Sequence, residues 1–409
     1  MGFWTGKRVV VGIGGGIAAY KVLDLIRRLR EGGAVVKVVV TRAALEFVTK
    51  VTLQALSGER VHDDLFALDQ EWEMGHIRLA READLVLVAP ATANRLAKMA
   101  QGLADDLLSA LLLARRGPVV VAPAMNSAMW THPATQRNLA ILRNDGIHVA
   151  GPATGVLACG EEGPGRLLDV AGLLEEMVRA LTPRFLAGRR ILVTAGPTRE
   201  ELDPVRYLSN HSSGKMGWAV ANAALRAGAR VVLIHGPVTL EPPRGADTVP
   251  VISAREMHRA ALEAWPACHG AILSAAVADY RPEARQDSKI KKEGVGQVRS
   301  RLDLTLNPDI LADLASRRRP EQVVVGFAAE TGPGAVALGR SKLVRKGCDL
   351  LAVNDVLESG SGFGTDTNRV TLLSREGGEE SWPLLDKAEV GARLVAALGA
   401  RMGAGEGGL

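Results

Sequence analysis

RILVTAGPT, at residues 190–198, is the stretch on which the fold of the second half depends. Its first five residues are an apolar run typical of a buried strand, and its last four are typical of a turn. Residues 209–217, SNHSSGKMG, then offer small polar side chains and free backbone N–H groups just before a helical pattern. The N-terminus of a helix binds anions, so this stretch predicts a phosphate site. It also predicts that a second α/β domain begins near residue 189.

Length and composition indicate a globular protein of two or three domains. The chain has 409 residues, of which 47% are hydrophobic, and a mean hydropathy of +0.09. No apolar run approaches the roughly 20 residues of a membrane helix, so no membrane association is expected. Residues 12–16 interrupt the apolar run near the N-terminus with glycines, which favours a strand and turn over a signal peptide.

Cysteine content and charge narrow the class of protein further. Three cysteines without paired spacing argue against a disulfide framework and a structural zinc site, so a reducing cytoplasm is the expected setting. The formal net charge is +5 and the isoelectric point is near 9.2, which suits anionic small molecules. Aromatic residues make up only 4% of the chain and the basic runs are typical of solvated helix faces, so nucleic acid is not an expected partner.

The first half begins with a strand, a glycine loop and a helix. A GxGxxA spacing over residues 14–19 follows an apolar strand at residues 8–12, as in the permissive form of the dinucleotide fingerprint. A helical pattern at residues 18–29 and a second strand at residues 35–40 complete a βαβ unit. Because Thr-Arg at residues 41–42 replaces the acidic residue that would hold an NAD ribose, a mononucleotide or flavin phosphate fits better.

Polar turns follow two further apolar strands of the first half. These strands, at residues 85–89 and 119–122, run into the turns PATAN and PAMN, which end at Asn94 and Asn126. Turns at the carboxyl ends of parallel strands build the ligand crevice, so these turns and the glycine loop should meet. Ordinary helix capping explains the two asparagines equally well.

Two side chains of the first half could take part in chemistry. His76 precedes an apolar helical stretch and, taken alone, is better explained as a surface or capping histidine than as a catalytic base. Cys159 lies in a glycine-rich loop with no core to bury a thiol, so an exposed cysteine with a chemical role is expected. Cys268 and Cys348 have no such context and are expected to be inert.

Four motifs of the first half together resemble the flavin-containing cysteine decarboxylases of coenzyme A biosynthesis. They are GGGIAAYK at residues 14–21, the segment around His76, PAMN at residues 123–126 with Met129, and ACGEEGPGR at residues 158–166. The resemblance implies an FMN-dependent phosphopantothenoylcysteine decarboxylase. Direct loss of CO2 would leave an unstabilised carbanion, whereas flavin oxidation of the thiol to a thioaldehyde supplies an electron sink, and the hydride is later returned.

The same resemblance implies roles for individual residues. His76 would act as a base, Asn126 would hold the substrate carboxylate, and Cys159 would protonate the enethiol intermediate on a closing loop. Members of this family form trimers, in which His76 would reach a flavin bound by a neighbouring subunit. The residues implied to bind FMN are Gly14, Gly15, Gly16, Ile17, Thr41, Thr92, Ala93 and Asn94.

Two motifs of the second half contain lysines that could bind phosphate. Gly214 and Lys215 do not form a P-loop, because Ser209 stands where the first glycine belongs and Met216 stands where a magnesium-binding hydroxyl belongs. The basic run KIKK at residues 289–292 is either a solvated face or, beside a nucleotide, a group that neutralises phosphate charge.

The second half is similar to bacterial phosphopantothenate-cysteine ligases of the fused type. That similarity implies CTP as cosubstrate and a divalent cation such as Mg2+, whose ligands stay unassigned. The phosphopantothenate carboxylate would attack the α-phosphorus of CTP, giving an acyl-cytidylate and pyrophosphate, and the amine of cysteine would then displace CMP. The motifs that carry the similarity are TAGPTRE (194–200), DPVRY (203–207), SNHSSGKMG (209–217), AAVADY (275–280), KIKK (289–292) and GFAAET (326–331).

Site residues and assembly follow from this second resemblance. Lys289 would assist formation of the acyl-cytidylate, and Asn210 would serve its conversion into the amide. Dimeric ligase contacts, combined with trimeric decarboxylase contacts, imply a homo-oligomer with a dodecamer as the expected assembly. The residues implied for the CTP site are Leu273, Ser274, Ala275, Asp279, Pro308, Asp309, Ile310, Leu311, Phe327, Lys342 and Lys346.

Together the resemblances cover nearly the whole chain and predict two Rossmann-like α/β domains of three layers, the second with a mostly parallel sheet. The expected boundaries are residues 1–185 for the decarboxylase, 186–400 for the ligase and 401–409 for a flexible, glycine-rich tail.

Two other interpretations stay open on the residues alone. A nicotinamide-dependent oxidoreductase is supported only by the glycine spacing and is opposed by residues 41–42. A non-catalytic nucleotide-binding protein would tolerate both folds, but it has no use for the Cys159 loop or the clustered lysines.

Overall fold

The computed structural model describes residues 3–65, 75–290, 302–332, 334–362 and 364–403. The chain divides into two compact units, Met1–Thr182 and Pro183–Leu409, and each has its own sheet. Two lysines of the KIKK run, Lys291 and Lys292, lie outside the described residues, as does the end of the predicted tail.

Valine-rich apolar runs form the strands of the first unit, and amphipathic helices connect them. Over the described residues the main sheet has the order β3-β2-β1-β4-β5-β6, with all neighbours parallel, and β7 and β8 form a separate antiparallel hairpin. The strands are β1 (Arg8–Ile13), β2 (Val35–Val40), β3 (Val61–His62), β4 (Leu85–Ala91), β5 (Val119–Pro123), β6 (His148–Val149), β7 (Ala153–Val156) and β8 (Glu162–Arg166). The helices are α1 (Val22–Glu31), α2 (Lys50–Ser57), α3 (Gly75–Glu82), α4 (Ala93–Gln101), α5 (Leu107–Ala114), α6 (Ser127–Thr131), α7 (Pro133–Asn144) and α8 (Val170–Leu181).

Helices cover both faces of this first sheet. Successive residues of β1 point to opposite faces, so Val9 packs with Leu25 of α1 in one core and Val10 packs with Leu108 of α5 in the other. Such burial on both faces is what makes the strands continuous apolar runs, and it confirms the predicted three layers.

The second unit repeats this plan on a larger sheet. Its order over the described residues is β13-β12-β9-β14-β17-β18-β20-β21, parallel up to β18 and antiparallel beyond it, which confirms the prediction of a mostly parallel sheet. The strands of this sheet are β9 (Arg190–Ala195), β12 (Arg230–His235), β13 (Asp247–Pro250), β14 (Gly270–Leu273), β17 (Val323–Glu330), β18 (Leu350–Asp355), β20 (Thr371–Ser374) and β21 (Glu379–Ser381). Short antiparallel pairs lie outside it, namely β10 (Arg199–Glu201) with β11 (Tyr207–Ser209), β15 (Tyr280–Pro282) with β16 (Leu304–Leu306), and β19 (Thr367–Asn368) with β22 (Leu385–Asp386).

The helices of the second unit also lie on both faces of its sheet. Ile191 and Val193 of β9 share one core with Leu394, whereas Leu192 between them shares the other core with Met257. The helices are α9 (Lys215–Arg226), α10 (Ala254–Ala264), α11 (Ile310–Ser316), α12 (Ala335–Lys346) and α13 (Lys387–Arg401).

The structure differs from the predicted elements at two helix ends. The first helix begins as a 3₁₀ turn, Ile17–Lys21, because Ala19 N donates to Gly16 O and tightens the chain as it leaves the glycine loop. At the other end of the chain α13 continues through Arg401, past the predicted domain end at residue 400. Gly399 is buried there, so close to Phe185 that an added Cβ would lie 2.7 Å from the ring.

None of the helices in the described ranges is long and apolar enough to cross a bilayer.

Candidate functional site

The glycine loop of the first unit packs tightly against the end of β4. A Cβ atom added to Gly14 would lie 2.4 Å from the Pro90 carbonyl oxygen, so a larger residue cannot occupy this position without moving the loop. Gly14 therefore allows the loop backbone to follow the strand end closely. The residues that follow Gly14, from Gly15 onward, line the space beyond the strand ends.

Two of the predicted flavin contacts are helix caps. Thr41 caps the 3₁₀ helix after β2 by accepting a hydrogen bond from Ala44 N at 3.3 Å, and Thr92 caps α4 by accepting one from Arg95 N at 3.2 Å. Because Thr92 holds the cap position, Asn94 lies exposed in the first turn of α4. The interpretation of Asn94 as a helix cap is wrong.

A cavity of about 690 Å³ opens between the segments that follow β1, β4 and β5. Large apolar side chains with unusual exposure stand around it, and Lys21 and Arg166 add two cations to its wall. The apolar side chains are Ile17, Tyr20, Met129 and Val156, each at least 50% exposed.

The structure brings most of the predicted decarboxylase residues to this cavity. Its wall contains Gly15, Gly16, Ile17, Thr92, Ala93, Asn126 and Cys159. Within the described part of this unit, Gly14, Thr41, Asn94 and His76 do not belong to the wall. His76 lies at the start of α3 and is partly exposed.

Cys159 lies in the turn of the β7–β8 hairpin. Leu157 N donates to Glu161 O at 2.8 Å and Gly160 N donates to Leu157 O at 2.9 Å, which closes the turn around the cysteine. The thiol is exposed, as the loop composition predicted. Burial instead raises the pKa of both the Cys268 and Cys348 thiols to about 11, in line with the expectation that they are inert.

The hairpin is fixed to the segment that follows β5. Gly165 has φ +132°, and a Cβ added there would lie 2.1 Å from the Met125 carbonyl oxygen. Met125 N donates to Gly165 O at 2.9 Å, and Ser127 Oγ donates to Pro164 O at 2.8 Å. These contacts flank Asn126 and place the hairpin turn beside it.

Asn126 joins three groups through its side-chain amide. Its Oδ1 accepts from Ala128 N at 2.8 Å and so caps α6, as the capping interpretation proposed. Its Nδ2 donates to Cys159 Sγ at 3.4 Å and to a Glu161 carboxylate oxygen at 2.7 Å. Glu161 belongs to the loop motif ACGEEGPGR, but its place in the site could not be predicted from the sequence, because only the folded hairpin brings it to Asn126.

In the second unit the N-terminus of α9 opens on a cavity of about 120 Å³. Three predicted residues, Ser274, Ala275 and Phe327, lie in its wall beside residues 212–217. Asn354 and Lys387 also line this cavity, but they were not predicted from the sequence, because they lie on the distant elements β18 and α13 and belong to none of the motifs.

Two lysines line this second cavity, and they differ in the charge of their hydrogen-bond partners. Lys215 Nζ pairs with Asp366 at 2.6 Å. Lys387 is only 8% exposed and donates to two neutral acceptors, Thr365 O at 2.7 Å and Gly362 O at 3.2 Å. Burial, followed by repulsion from Lys215, lowers the pKa of Lys387. An anion in the cavity would relieve both effects.

Asn210 lies outside this cavity wall but beside the AAVADY loop. Its Nδ2 donates to Val277 O at 3.0 Å and to Ala276 O at 3.3 Å. Asn307 holds the other end of that loop, because its N donates to Asp279 O and its Nδ2 donates to Ala278 O. The predicted residues Asn210 and Asp279 therefore belong to one hydrogen-bonded cluster.

Lys289 is exposed, and a buried carboxylate holds the chain next to it. Asp203 Oδ2 accepts from Ile290 N at 3.1 Å, and its side chain is 0% exposed. Arg206 donates from Nη2 to Asp203 at 2.6 Å and to Ile290 O at 2.9 Å. The Arg206 guanidinium, together with backbone N–H groups, holds the pKa of Asp203 well below its usual range, so this carboxylate is ionised at neutral pH.

The other residues predicted for CTP form ion pairs or pack in the core. Asp309 caps α11 and pairs with Lys346, and Lys342 Nζ lies 3.6 Å from Glu330. The side chains of Leu273 and Ile310 are buried in the core, and Leu311 packs against it, which leaves mainly backbone groups for a ligand. Pro308 lines a different surface cleft, between α10 and β16. Among the described residues, no group of three or more His, Cys, Asp or Glu side chains forms a metal site.

Comparison with known proteins defines the class of each unit. Residues 4–182 match the model of the Flavoprotein family. Residues 186–401 match that of the DNA/pantothenate metabolism flavoprotein C-terminal domain. The chain is thus a flavoprotein unit followed by a pantothenate-metabolism unit.

A relative joins the two units in one protein. The chain is 47% identical to the coenzyme A biosynthesis bifunctional protein CoaBC of Vibrio cholerae, over 96% of this chain and 97% of that protein. It therefore belongs to the family of bifunctional coenzyme A biosynthesis proteins CoaBC. Membership confirms the two predicted activities, phosphopantothenate-cysteine ligase and phosphopantothenoylcysteine decarboxylase.

The solved structures that resemble this chain each match one of its two units. The crystal structure of a CoaBC C-terminal domain is 36% identical, with a TM-score of 0.46, and the match covers 54% of this chain and 98% of that one. A PPC decarboxylase mutant complexed with pantothenoylaminoethenethiol is 34% identical, with a TM-score of 0.38, and covers 41% of this chain and 94% of that one.

Gly165→Ala tests the fixed position of the hairpin. The new Cβ would collide with Met125 O, so the turn that carries Cys159 should shift and decarboxylase activity should fall by roughly tenfold to a hundredfold. Ligase activity should stay unchanged. Gly146→Ala is the matched control, because Gly146 also has positive φ but has open space around it. Equal losses in both variants would show that backbone strain, and not this contact, is responsible.

Asp203→Asn tests the anchor of the Lys289 segment. Loss of the charge weakens the bonds to Arg206 and Ile290, and pyrophosphate release from CTP should fall by roughly tenfold or more. Decarboxylation should be unaffected. Asp287→Asn, which removes an exposed carboxylate two residues before Lys289, should leave pyrophosphate release intact. Normal pyrophosphate release by Asp203→Asn would contradict the proposed anchor.

Proposed function

We propose that the second unit joins phosphopantothenate to cysteine with CTP, and that the first unit decarboxylates the product with FMN. The observation that carries this proposal is the pairing of Asn126 with Cys159 beside a large, partly apolar cavity. Family membership supports both activities, and the chemistry of each cavity supports the choice of cofactor.

The first cavity fits a flavin mononucleotide. Its volume of about 690 Å³ is within the range of small-molecule sites, and exposed Ile17 and Tyr20 offer an apolar surface for a ring. Gly15 and Gly16 supply backbone close to the ligand, while Lys21 and Arg166 supply positive charge for a phosphate. When bound, the flavin accepts and returns a hydride, so that the substrate can lose CO2 without an unstabilised carbanion.

Two side chains of the hairpin region act on the substrate. Asn126 Nδ2 holds the substrate carboxylate by donating a hydrogen bond to it. The Cys159 thiol, 3.4 Å from the same nitrogen, then gives its proton to the enethiol carbon left after CO2 departs. Because both groups lie on segments fixed by the Gly165 contact, their separation is set by the fold.

His76 acts across a subunit boundary in this proposal. His76 lies outside the described cavity wall of its own chain, so we expect it to act as a base at the cavity of a neighbouring copy. The exposed apolar rim at Met129 and Val156 supports such a contact, since exposed apolar groups gain free energy when a second subunit covers them. A trimer would satisfy both requirements.

CTP binds the second unit at the N-terminus of α9. The backbone N–H groups of residues 215–217, in the first turn of α9, and the ammonium groups of Lys215 and Lys387 would bind phosphate oxygens, and Phe327 lies in the same wall. A divalent cation such as Mg2+ would accompany the triphosphate. Asp279, the backbone of residues 308–311, Lys342 and Lys346 would complete the nucleotide site.

Lys289 and Asn210 then serve the two half-reactions. The substrate carboxylate attacks the α-phosphorus of CTP, the bond to pyrophosphate breaks, and Lys289 neutralises the charge that develops on the phosphate. Cysteine's amine next attacks the acyl carbon, CMP leaves, and the amine loses a proton. Asn210, held by Val277 and Ala276, orients the acyl-cytidylate for this second step.

Exposed apolar side chains support a dimer of the ligase unit. They lie on the antiparallel pairs β10–β11 and β15–β16 or, for Val205, in the turn that joins β10 to β11 beside the Asp203 anchor. Covering them with a second copy would remove apolar area from water. These side chains are Val205, Tyr207, Tyr280, Leu304 and Leu306.

A reciprocal pair of variants tests the division of function. Cys159→Ala should stop decarboxylation at an oxidised intermediate and leave pyrophosphate release intact. Lys289→Gln should abolish pyrophosphate release and leave decarboxylation of supplied phosphopantothenoylcysteine intact. Both reactions are measured with the full chain loaded with FMN. Loss of both activities in either variant, or a wild-type preparation that binds no FMN, would contradict the proposal.

Lys387→Met tests the phosphate site. The KM for CTP should rise by roughly tenfold, because a buried cation no longer contacts the triphosphate, whereas the KM for cysteine should change little. Folding should be retained, since methionine fills similar volume and removes a buried charge. Arg393→Met, on the same helix but paired with Glu389, is the control. An unchanged KM for CTP would place the triphosphate elsewhere.

A further inference from the structure

Both donor hydrogens of the Asn126 side-chain amide have partners among the described residues. Its Oδ1 is occupied by Ala128 N at 2.8 Å. Its Nδ2 carries two hydrogens, and these point to Glu161 at 2.7 Å and Cys159 at 3.4 Å. A ligand that needs the Nδ2 donor must therefore replace one of these two partners.

Glu161 is the partner that a substrate carboxylate would replace. It is itself a carboxylate, and two carboxylates on one donor repel each other. The thiol of Cys159 is a weak acceptor and is needed beside the substrate, so its contact with Asn126 can remain. Exchanging one carboxylate for another also keeps the Asn126 amide in the same orientation.

The geometry of the turn allows this exchange without opening the hairpin. The backbone of Glu161 is held by Leu157 N at 2.8 Å, whereas its side chain is exposed. Side-chain rotation alone can therefore withdraw the carboxylate from Asn126. Cys159 stays in place because the backbone bonds of the turn do not break.

We propose that Glu161 is a positioning residue of the decarboxylase site, which holds the Asn126 amide until the substrate carboxylate displaces it. This inference rests on the proposed role of Asn126 as the carboxylate-binding residue. When the substrate carboxylate leaves as CO2, Glu161 returns to Asn126. The product has no carboxylate and does not compete with Glu161, so the exchange acts on substrate binding and not on product binding.

Glu161→Gln tests the inference in the full chain loaded with FMN. Glutamine keeps the length of the side chain but loses the charge that competes with the substrate. The KM for phosphopantothenoylcysteine should fall roughly threefold, the size expected for one exposed charged hydrogen bond, with kcat nearly unchanged. The dissociation constant of the product phosphopantetheine, measured by calorimetry, should not change.

Glu162→Gln is the matched control, because it removes the same charge from the next, also exposed, position of the hairpin. Its KM should equal that of the wild type. An equal fall in both variants would overturn the inference in favour of a general charge effect. A higher KM or a lower kcat in Glu161→Gln would overturn it in favour of a purely structural contact.

Glu161→Ala provides a second variant and should lower the KM at least as much as Glu161→Gln. Equal tightening of substrate and product would overturn the inference, because the product carries no carboxylate. If the wild-type protein itself releases no CO2, the proposed function fails, and that result is distinct from an unaltered KM in the variants of an active enzyme.

Discussion

A parallel sheet covered by helices on both faces is open to a ligand mainly at the segments that follow the ends of its strands. Both units of this chain obey that constraint. In the first, the segments after β1, β4 and β5 surround the larger cavity, and in the second, residues 212–217 open on the smaller one. Asn126, Cys159 and the proposed phosphate contacts at residues 212–217 are carried by these segments or by the β7–β8 hairpin that is fixed to them.

The reactive side chains Cys159 and Lys289 are exposed, so their positions depend on nearby residues of the chain that are anchored elsewhere in the fold. Cys159 is held by the contact of Gly165 with Met125, in which an added Cβ would come within 2.1 Å of a carbonyl oxygen. Lys289 is held by Asp203, a buried carboxylate that reaches the neighbouring Ile290 across 87 residues of sequence. In each case the anchor holds a backbone group, of Gly165 or of Ile290. The backbone contact therefore fixes the position of the exposed side chain nearby.

Apolar runs were enough to predict central strands such as β1 and β9, because burial on both faces of these strands demands such runs. The two three-layer domains were predicted from the family resemblances. The family resemblance carried by the motifs assigned Asn126 and Cys159 to the same decarboxylase site, and in the structure their side chains lie 3.4 Å apart. The motifs could not identify Glu161 as a partner of Asn126, nor Lys387 as a wall of the second cavity, since both depend on distant chain segments. Asn94 shows the limit of cap prediction, because Thr92, two residues earlier, occupies the cap.

The walls of the two cavities differ in chemistry: the first exposes apolar surface, and the second contains a buried cation. This difference favours a different ligand for each cavity. Around the first, Ile17, Tyr20 and Val156 expose apolar surface that a planar ring or a second subunit would cover. Around the second, the Asp366 carboxylate is paired with Lys215, and within the described ranges the hydrogen-bond acceptors of the buried Lys387 are neutral carbonyl oxygens. A buried cation without a full counter-charge is stabilised by an anion, and a triphosphate supplies several negative oxygens at once. The exposed apolar side chains of the first cavity therefore favour a flavin ring. The buried ammonium group of Lys387 favours the phosphates of a nucleotide in the second cavity.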